Sequence, residues 1–188
     1  LSNGYDSLQL NNFSEAIKRE LLCDYKVVII GIDDPMMQAK IINRTLVSVD
    51  SKIETDSESL ANHIALSKAM SDPDYDLRRV ITFHSRIKGA AIFSEDHQKI
   101  ANWLPENSKS SKNLKVGYVS SKMNTYQRNR RISELRNIGV SDIGILSNAR
   151  CLSEGVDVPN LDGIAFIDPK RSTVDIIQAV GRAIRKSD

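Results

Sequence analysis

The sequence predicts an α/β fold in which a parallel β-sheet is sandwiched between helices. Short apolar runs rich in β-branched residues alternate along the chain with longer segments of helical period. The runs are nearly continuously apolar, as in strands buried on both faces, and their spacing suits right-handed βαβ crossovers. A chain of 188 residues, 40% of them hydrophobic, is long enough to build such a core.

Five apolar runs have the length and composition of buried strands. They cover residues 27–32, 80–83, 116–119, 143–146 and 164–167. Because both faces of each run are apolar, we expect helices to cover the sheet on both sides.

Four segments have the apolar spacing of helices that pack on a sheet. They cover residues 56–71, 86–103, 124–137 and 172–185. The first begins at Asp56 or Ser57 and the last at Ser172 or Thr173, all of which are suitable N-caps. Each helix follows a strand region or joins two strands, as βαβ units require.

Two regions and the chain ends are less regular. Residues 33–56 leave a helix, a strand and an inserted excursion open as alternatives, starting near Pro35. Residues 104–114 are rich in Ser, Lys and Asn and are expected to form a mobile surface loop. The chain begins without Met and stops directly after a patterned helix, so we expect it to be a segment of a longer protein.

Composition excludes several classes of protein. No apolar run approaches the roughly 20 residues of a membrane span, and no signal-peptide pattern is present. The two cysteines, Cys23 and Cys151, are too few for a disulfide scaffold. His63, His84 and His97 lack the spacing of zinc ligands, so no metal site is predicted. We expect a reducing, cytoplasmic setting without a membrane partner.

Charge is unevenly distributed, although the net charge is only +2. Residues 50–76 contain seven acidic and two basic residues, whereas residues 112–136 contain seven basic residues and one acidic residue. Two interpretations remain open, namely two solvated faces of opposite bias or a basic surface that contacts phosphates. With only ten aromatic residues, a platform for stacking nucleic-acid bases is poorly supported.

The segment after the run at 143–146 carries more polar groups than packing requires. From Ser147 to Pro159 it reads Ser-Asn-Ala-Arg-Cys-Leu-Ser-Glu-Gly-Val-Asp-Val-Pro. Ligands of open parallel sheets bind beyond the carboxyl ends of the strands, which is where this loop lies. Gly155 permits a close backbone approach, and Asp157 is able to accept a hydrogen bond from a sugar hydroxyl. A glycine turn closed by an Asx hydrogen bond is the structural alternative.

The last predicted helix contains the sequence Gln-Ala-Val-Gly-Arg-Ala-Ile-Arg. Arg182 and Arg185 lie three residues apart, and Gln178 lies four before Arg182, so all three share one helix face. Gly181 costs about 1 kcal/mol of helix stability relative to alanine, which some other role should offset. Two guanidinium groups and an amide on one face suit a phosphate. The alternative is exposed arginines stabilised by the helix dipole.

Together, these two segments resemble motifs V and VI of superfamily 2 helicases. The Ser-Glu-Gly-Val-Asp-Val-Pro sequence and the pair Asp168-Pro169 resemble the restriction-enzyme-like bacterial branch more than the DEAD-box proteins. Other segments resemble, in the expected order, the entry into the second motor domain (16–28), motif IV (80–86) and the helix before motif V (123–135).

The resemblance implies a RecA-like domain of the P-loop NTPase type, the second of two motor domains that hold ATP between them. The sequence contains neither G-x-x-x-x-G-K-[ST] nor D-E-x-[DHQ], which belong to the first domain, so the chain alone is expected to be inactive. Residues 1–24 would lead in from the first domain, and residues 25–188 would form the helicase C-terminal domain. The implied partners are the N-terminal RecA-like domain of the same chain and DNA, with RNA less favoured.

The resemblance also implies a role for individual residues. Arg185 would be the arginine finger, and Arg182 would make a second phosphate or interdomain contact. The ATP-binding residues would be Gln178, Gly181, Gly155, Asp157 and Glu154. The nucleic-acid contacts would be Ser85, Arg86, Arg128, Ser147 and Asn148. The cofactor would be ATP with Mg²⁺, the metal being bound mainly by the first domain.

One position departs from the family pattern, because Ala149 stands where many members have threonine. The hydroxyl contact of motif V would then move to Ser147 or be replaced by Asn148. Two interpretations of other classes also remain. One is a non-catalytic module that binds nucleic acid or protein; the other is a flavodoxin-like or dinucleotide-binding domain. The latter needs a glycine-rich turn after the first strand, which residues 31–35 do not supply.

Overall fold

The computed structural model describes residues 28, 46–49, 53–105, 109–149, 151 and 161–168. The elements in this part are β1 (Leu46–Val49), β2 (Ile53–Asp56), α1 (Ser57–Ser71), β3 (Arg79–His84), α2 (Ile87–Trp103), β4 (Asn113–Ser120), α3 (Thr125–Arg136), β5 (Asp142–Ala149) and β6 (Gly163–Phe166). The strand predicted at 27–32, of which only Val28 is described, and the helix predicted at 172–185 lie outside these elements.

Strands β3 to β6 pair in parallel, in the order β4-β5-β3-β6. The register sets Ser120 of β4 and His84 of β3 opposite the same residue of β5, Ala149. Phe83 of β3 pairs with Phe166, the last residue of β6. The strands therefore finish at nearly the same level, and the predicted parallel sheet is confirmed.

Helices cover both faces of this sheet, as the apolar runs predict. One face packs against α1 and α2 through a core of Leu66, Met70, Val80, Phe93, Ile143 and Ile145. The other face packs against α3 through Ile81, Phe83, Val119, Ile132, Leu135, Leu146 and Cys151. Successive residues of β3 and β5 enter opposite cores because side chains alternate along a strand.

Side-chain caps fix where two of the helices begin. The Asp56 carboxylate accepts a hydrogen bond from the Ser59 backbone N–H at 2.9 Å, which makes Asp56 the N-cap of α1. Helix α3 begins with a capping box: Asn124 Oδ1 accepts from Gln127 N–H at 2.8 Å, and Gln127 Oε1 accepts from Asn124 N–H at 3.1 Å. This capping box therefore sets where α3 begins after β4.

The uncertain region at 33–56 contains strand in its described part. β1 and β2 form an antiparallel pair in which Leu46 lies opposite Asp56 and Val49 lies opposite Ile53. This two-stranded sheet is separate from the parallel sheet. β4 begins at Asn113, so the last two residues of the surface loop predicted at 104–114 belong to a strand.

At Gly144 of β5, the buried side chain of Leu135 on α3 occupies the space that a Cβ atom would need. A Cβ atom there would lie 2.6 Å from Leu135 Cδ1 and 3.4 Å from Ile138 Cγ2. We expect Gly144→Ala to lower the free energy of unfolding by about 1–3 kcal/mol, the usual cost of overpacking a core. Gly117→Ala on β4 is the matched control, since its Cβ would lie 3.8 Å from Leu146 Cδ1. Equal thermal midpoints for the two variants would contradict this close approach.

Candidate functional site

The carboxyl ends of the four parallel strands form one edge of the sheet, which we call the carboxyl edge. Ser85 and Arg86 follow β3, Asn124 caps the helix after β4, Cys151 follows β5 and Asp168 follows β6. Open parallel sheets bind ligands at this edge, because strand-to-helix loops and helix N-termini meet there. Three of the predicted nucleic-acid contacts lie in this region.

Ser85 and Arg86 occupy the turn between β3 and α2, and both are exposed. The Ser85 backbone N–H donates to the Asp168 carboxylate at 2.6 Å. Arg86 is the N-cap residue of α2, and its side chain makes no capping hydrogen bond. Arg86 therefore lies in solvent at the N-terminus of α2. A phosphate group there would be attracted by the guanidinium and by the positive end of the helix dipole.

Arg128, in the first turn of α3, is the third predicted contact at this edge. It is half-buried, and its guanidinium lies 3.4 Å from Thr125 Oγ1. Burial raises the pKa of the Cys151 thiol to about 11, while the nearby positive charge of Arg128 opposes that shift. Arg128 thus extends from α3 towards the end of β5, and the protonated thiol beside it is a poor nucleophile.

Ser147 and Asn148 are placed differently from these three residues. Ser147 is fully buried, and its Oγ accepts a hydrogen bond from Thr82 Oγ1 at 3.1 Å. Asn148 is 1% exposed, and its Oδ1 accepts from the Cys151 N–H at 3.3 Å and from the Cys151 thiol at 3.1 Å. The structure does not bring these two side chains to the surface; they hold the end of β5 from within.

The predicted nucleotide-binding residues all lie outside the described residues. They are Arg185, Arg182, Gln178, Gly181, Gly155, Asp157 and Glu154. Their chemistry fits ATP, because guanidinium groups suit phosphates and a carboxylate suits a ribose hydroxyl. Their assignments stay predictions from the sequence.

Sequence reasoning missed a buried polar cluster on the face covered by α1 and α2. His63 and His97 share a hydrogen bond of 2.9 Å between their Nδ1 atoms, and both rings stack on Phe93. Thr82 Oγ1 is hydrogen-bonded to His84 Nε2 at 2.9 Å and to Ser147 Oγ at 3.1 Å. The available signal is the pair Thr82 and His84, two polar residues that alternate with the apolar residues Ile81 and Phe83.

Burial governs the protonation of these histidines. It lowers the pKa of His63 to about 3, helped by repulsion from His97 and His84. Burial lowers the pKa of His97 to about 4, and it lowers the pKa of His84 to about 4 against an opposing attraction from Asp168. All three rings are neutral at pH 7, so the cluster is held by hydrogen bonds between neutral groups.

The described residues also form a surface groove at a different place from the carboxyl edge. A surface groove of about 810 Å³ lies beside β4, lined by residues that include Lys115, Gly117, Arg131 and Asn137. It contains none of the predicted nucleic-acid contacts.

Within 46–49, 53–105, 109–149 and 161–168, no group of His, Cys, Asp and Glu side chains is arranged to hold a metal ion. The helices in those ranges are also too short or too polar to cross a membrane.

Comparison with known proteins decides which family these features belong to. The family described as "Helicase conserved C-terminal domain" matches residues 74–187. The chain belongs to this family. This confirms the predicted superfamily 2 helicase C-terminal domain, and the match includes every described contact at the carboxyl edge.

Individual relatives agree with the family. The chain is 29% identical to the UvrABC system protein B of Photobacterium profundum over 156 residues, 71% of this chain and 22% of the relative. It is 33% identical to the same protein of Clostridium perfringens (strain 13 / Type A) over 81 residues, 40% of this chain and 12% of the relative. The chain thus spans less than a quarter of these relatives' length.

A solved structure supports the fold as well. The ATP-dependent Type ISP restriction-modification enzyme LlaBIII bound to DNA matches with a TM-score of 0.72 and 27% identity. The match covers 94% of this helicase domain and 12% of the enzyme chain. The predicted RecA-like fold and the resemblance to the restriction-enzyme-like branch are therefore confirmed.

Proposed function

We propose that this helicase C-terminal domain is the second motor domain of an ATP-dependent helicase or translocase that acts on nucleic acid. The observation that carries the proposal is the family match over residues 74–187, in a chain with Arg86 and Arg128 at the carboxyl edge of its sheet. Residues 25–188 would form the motor domain, and residues 1–24 would lead in from the first.

ATP binds, in this proposal, between this domain and the first motor domain, with Mg²⁺ held mainly by the latter. Bound ATP supplies the phosphoryl group whose transfer to water drives the cycle. Arg185 and Arg182 would neutralise charge that develops on that group, and the spacing of Gln178 would place it on the same face of the predicted helix. Asp157 accepts from the ribose, and Gly155 lets the backbone approach the nucleotide.

The nucleic-acid track would run along the carboxyl edge. Arg86 and Arg128 would bind successive phosphates, and Ser85 would lie against the backbone between them. DNA is favoured over RNA because the structural relative is bound to DNA. Closure of the two domains on ATP and reopening after hydrolysis would alternate the grip on these phosphates and move the strand.

Loss of phosphate contacts should be visible in the salt dependence of binding. For the full-length protein, we expect the double variant Arg86→Gln/Arg128→Gln to bind DNA with a weaker salt dependence. The magnitude of the slope of the logarithm of the association constant against the logarithm of the salt concentration should fall by about 1.5, since each phosphate contact releases close to one counterion. Lys115→Gln is the matched control, because this exposed lysine pairs with Asp142 at 2.7 Å, near the amino ends of the strands. Slopes that are equal in the double variant and the parent would instead favour an ordinary solvated face.

Steady-state ATP hydrolysis by the full-length protein tests the proposed function as a whole. Turnover is measured without nucleic acid and with single-stranded DNA, duplex DNA or RNA. We expect stimulation by DNA, and negligible turnover by the 188-residue chain alone. Binding of nucleic acid with no turnover under any condition would favour the non-catalytic module instead.

A further inference from the structure

Two aspartates join β6 to β3, one at each end of the strand pair. At the amino end, the Asp162 carboxylate accepts from Arg79 N–H at 2.7 Å and from Arg78 N–H at 3.2 Å. At the carboxyl end, the Asp168 carboxylate accepts from Ser85 N–H at 2.6 Å. Both carboxylates accept from backbone N–H groups of or beside β3, and Asp162 also forms an ion pair with the Arg79 guanidinium at 3.7 Å. Only the Asp168 bridge lies at the proposed track.

The Asp168 bridge fixes the backbone on both of its sides. The backbone hydrogen bonds between β6 and β3 end where Ile167 N–H donates to the Phe83 carbonyl at 3.2 Å. Two residues after Phe83, the Ser85 N–H donates to the Asp168 carboxylate. Ser85 is thus held directly before Arg86, the N-cap of α2. On the other side, Pro169 follows Asp168 and favours an extended backbone at that residue.

We propose that Asp168 is a positioning residue, which couples the track contact at Ser85 and Arg86 to the predicted nucleotide-binding residues that follow it in the sequence. Asp168 lies ten residues before Gln178 in the sequence, and its hydrogen bond to the Ser85 N–H joins this part of the chain to the track contact. This inference rests on the proposed function and assigns to Asp168 no contact with ATP or DNA.

Three single variants of the full-length protein separate coupling from stability. Asp168→Ala removes the acceptor, whereas Asp168→Asn keeps a carbonyl oxygen that can bind the Ser85 amide. Asp162→Ala removes the comparable bridge at the far end of the same strands. The readouts are the ratio of DNA-stimulated to basal ATP turnover, the DNA concentration for half-maximal stimulation, the KM for ATP and the thermal midpoint.

We expect Asp168→Ala to lower the stimulation ratio by roughly 2- to 30-fold, the usual range for a residue that modulates coupling between sites. Asp168→Asn should retain most of the stimulation, and Asp162→Ala should retain it even if its thermal midpoint falls. Full stimulation in Asp168→Ala, or an equal loss in Asp162→Ala, overturns the inference. If Asp168→Ala does not fold, a loss of stimulation in folded Asp168→Asn equally overturns it. A parent protein that DNA does not stimulate overturns the proposed function itself.

Discussion

Replacing Arg185 with alanine in the full-length protein is expected to lower ATP turnover by about 1,000-fold while leaving ATP affinity nearly unchanged. An arginine finger acts mainly on the charge that develops in the transition state, and its loss costs on the order of 10³–10⁵ in kcat. Ground-state binding depends mostly on other contacts, so the KM and the Kd for ATP should change little.

Two further variants show whether the effect belongs to that guanidinium. Arg185→Lys keeps the charge but loses the planar pair of donors, so it should also be severely impaired. Lys186→Ala removes the adjacent charge, which a helix would direct away from the Arg185 face, and should retain turnover. Unchanged turnover in Arg185→Ala would remove the finger assignment.

Acidification from pH 7 to pH 5 is expected to destabilise the domain by several kcal/mol. The three buried histidines have folded-state pKa values of about 3 to 4, below the ordinary 6.5 of the unfolded chain. The unfolded state therefore binds more protons below pH 6.5, and stability falls as pH drops from there towards 4. Each histidine contributes about 2 kcal/mol of this loss at pH 5.

The hydrogen bond between His63 and His97 explains why the folded state resists these protons. One Nδ1 donates and the other accepts, so full protonation would place two donors face to face. Urea unfolding of the chain at pH 7 and pH 5 measures the effect. His63→Leu/His97→Phe should lose about two thirds of the pH dependence, since His84 alone remains. An unfolding free energy that is the same at both pH values would contradict the neutral cluster.

Most of the described fold was predictable because its strands and helices carry unbroken patterns. Nearly continuous apolar runs at 80–83 and 143–146 predict buried parallel strands, and the candidate caps Asp56 and Ser57 predict where α1 begins. The pair β1 and β2 was not identified, because each strand has four residues, too few for a period to emerge. A strand of four residues forms because it pairs with a neighbouring strand, and its local composition does not show that pairing.

The candidate site was predictable in position but not in detail. Ser85 and Arg86 follow a strand end, and Arg128 follows a helix start, so their place at one edge comes from the topology alone. Ser147, predicted as a nucleic-acid contact, is fully buried, and helices expected on both faces of the sheet already imply that burial. The Asp168–Ser85 bridge spans 83 residues of sequence, and no local pattern reports a contact of that kind.

The most direct test of the central claim compares DNA affinity in two nucleotide states of the full-length protein. Single-stranded DNA is titrated in the presence of ADP and of a non-hydrolysable ATP analogue with Mg²⁺. A motor that alternates its grip should show dissociation constants that differ by about 5- to 150-fold between the two states, the range of typical coupling between sites. Equal dissociation constants would contradict the motor and leave a domain that binds DNA without using ATP.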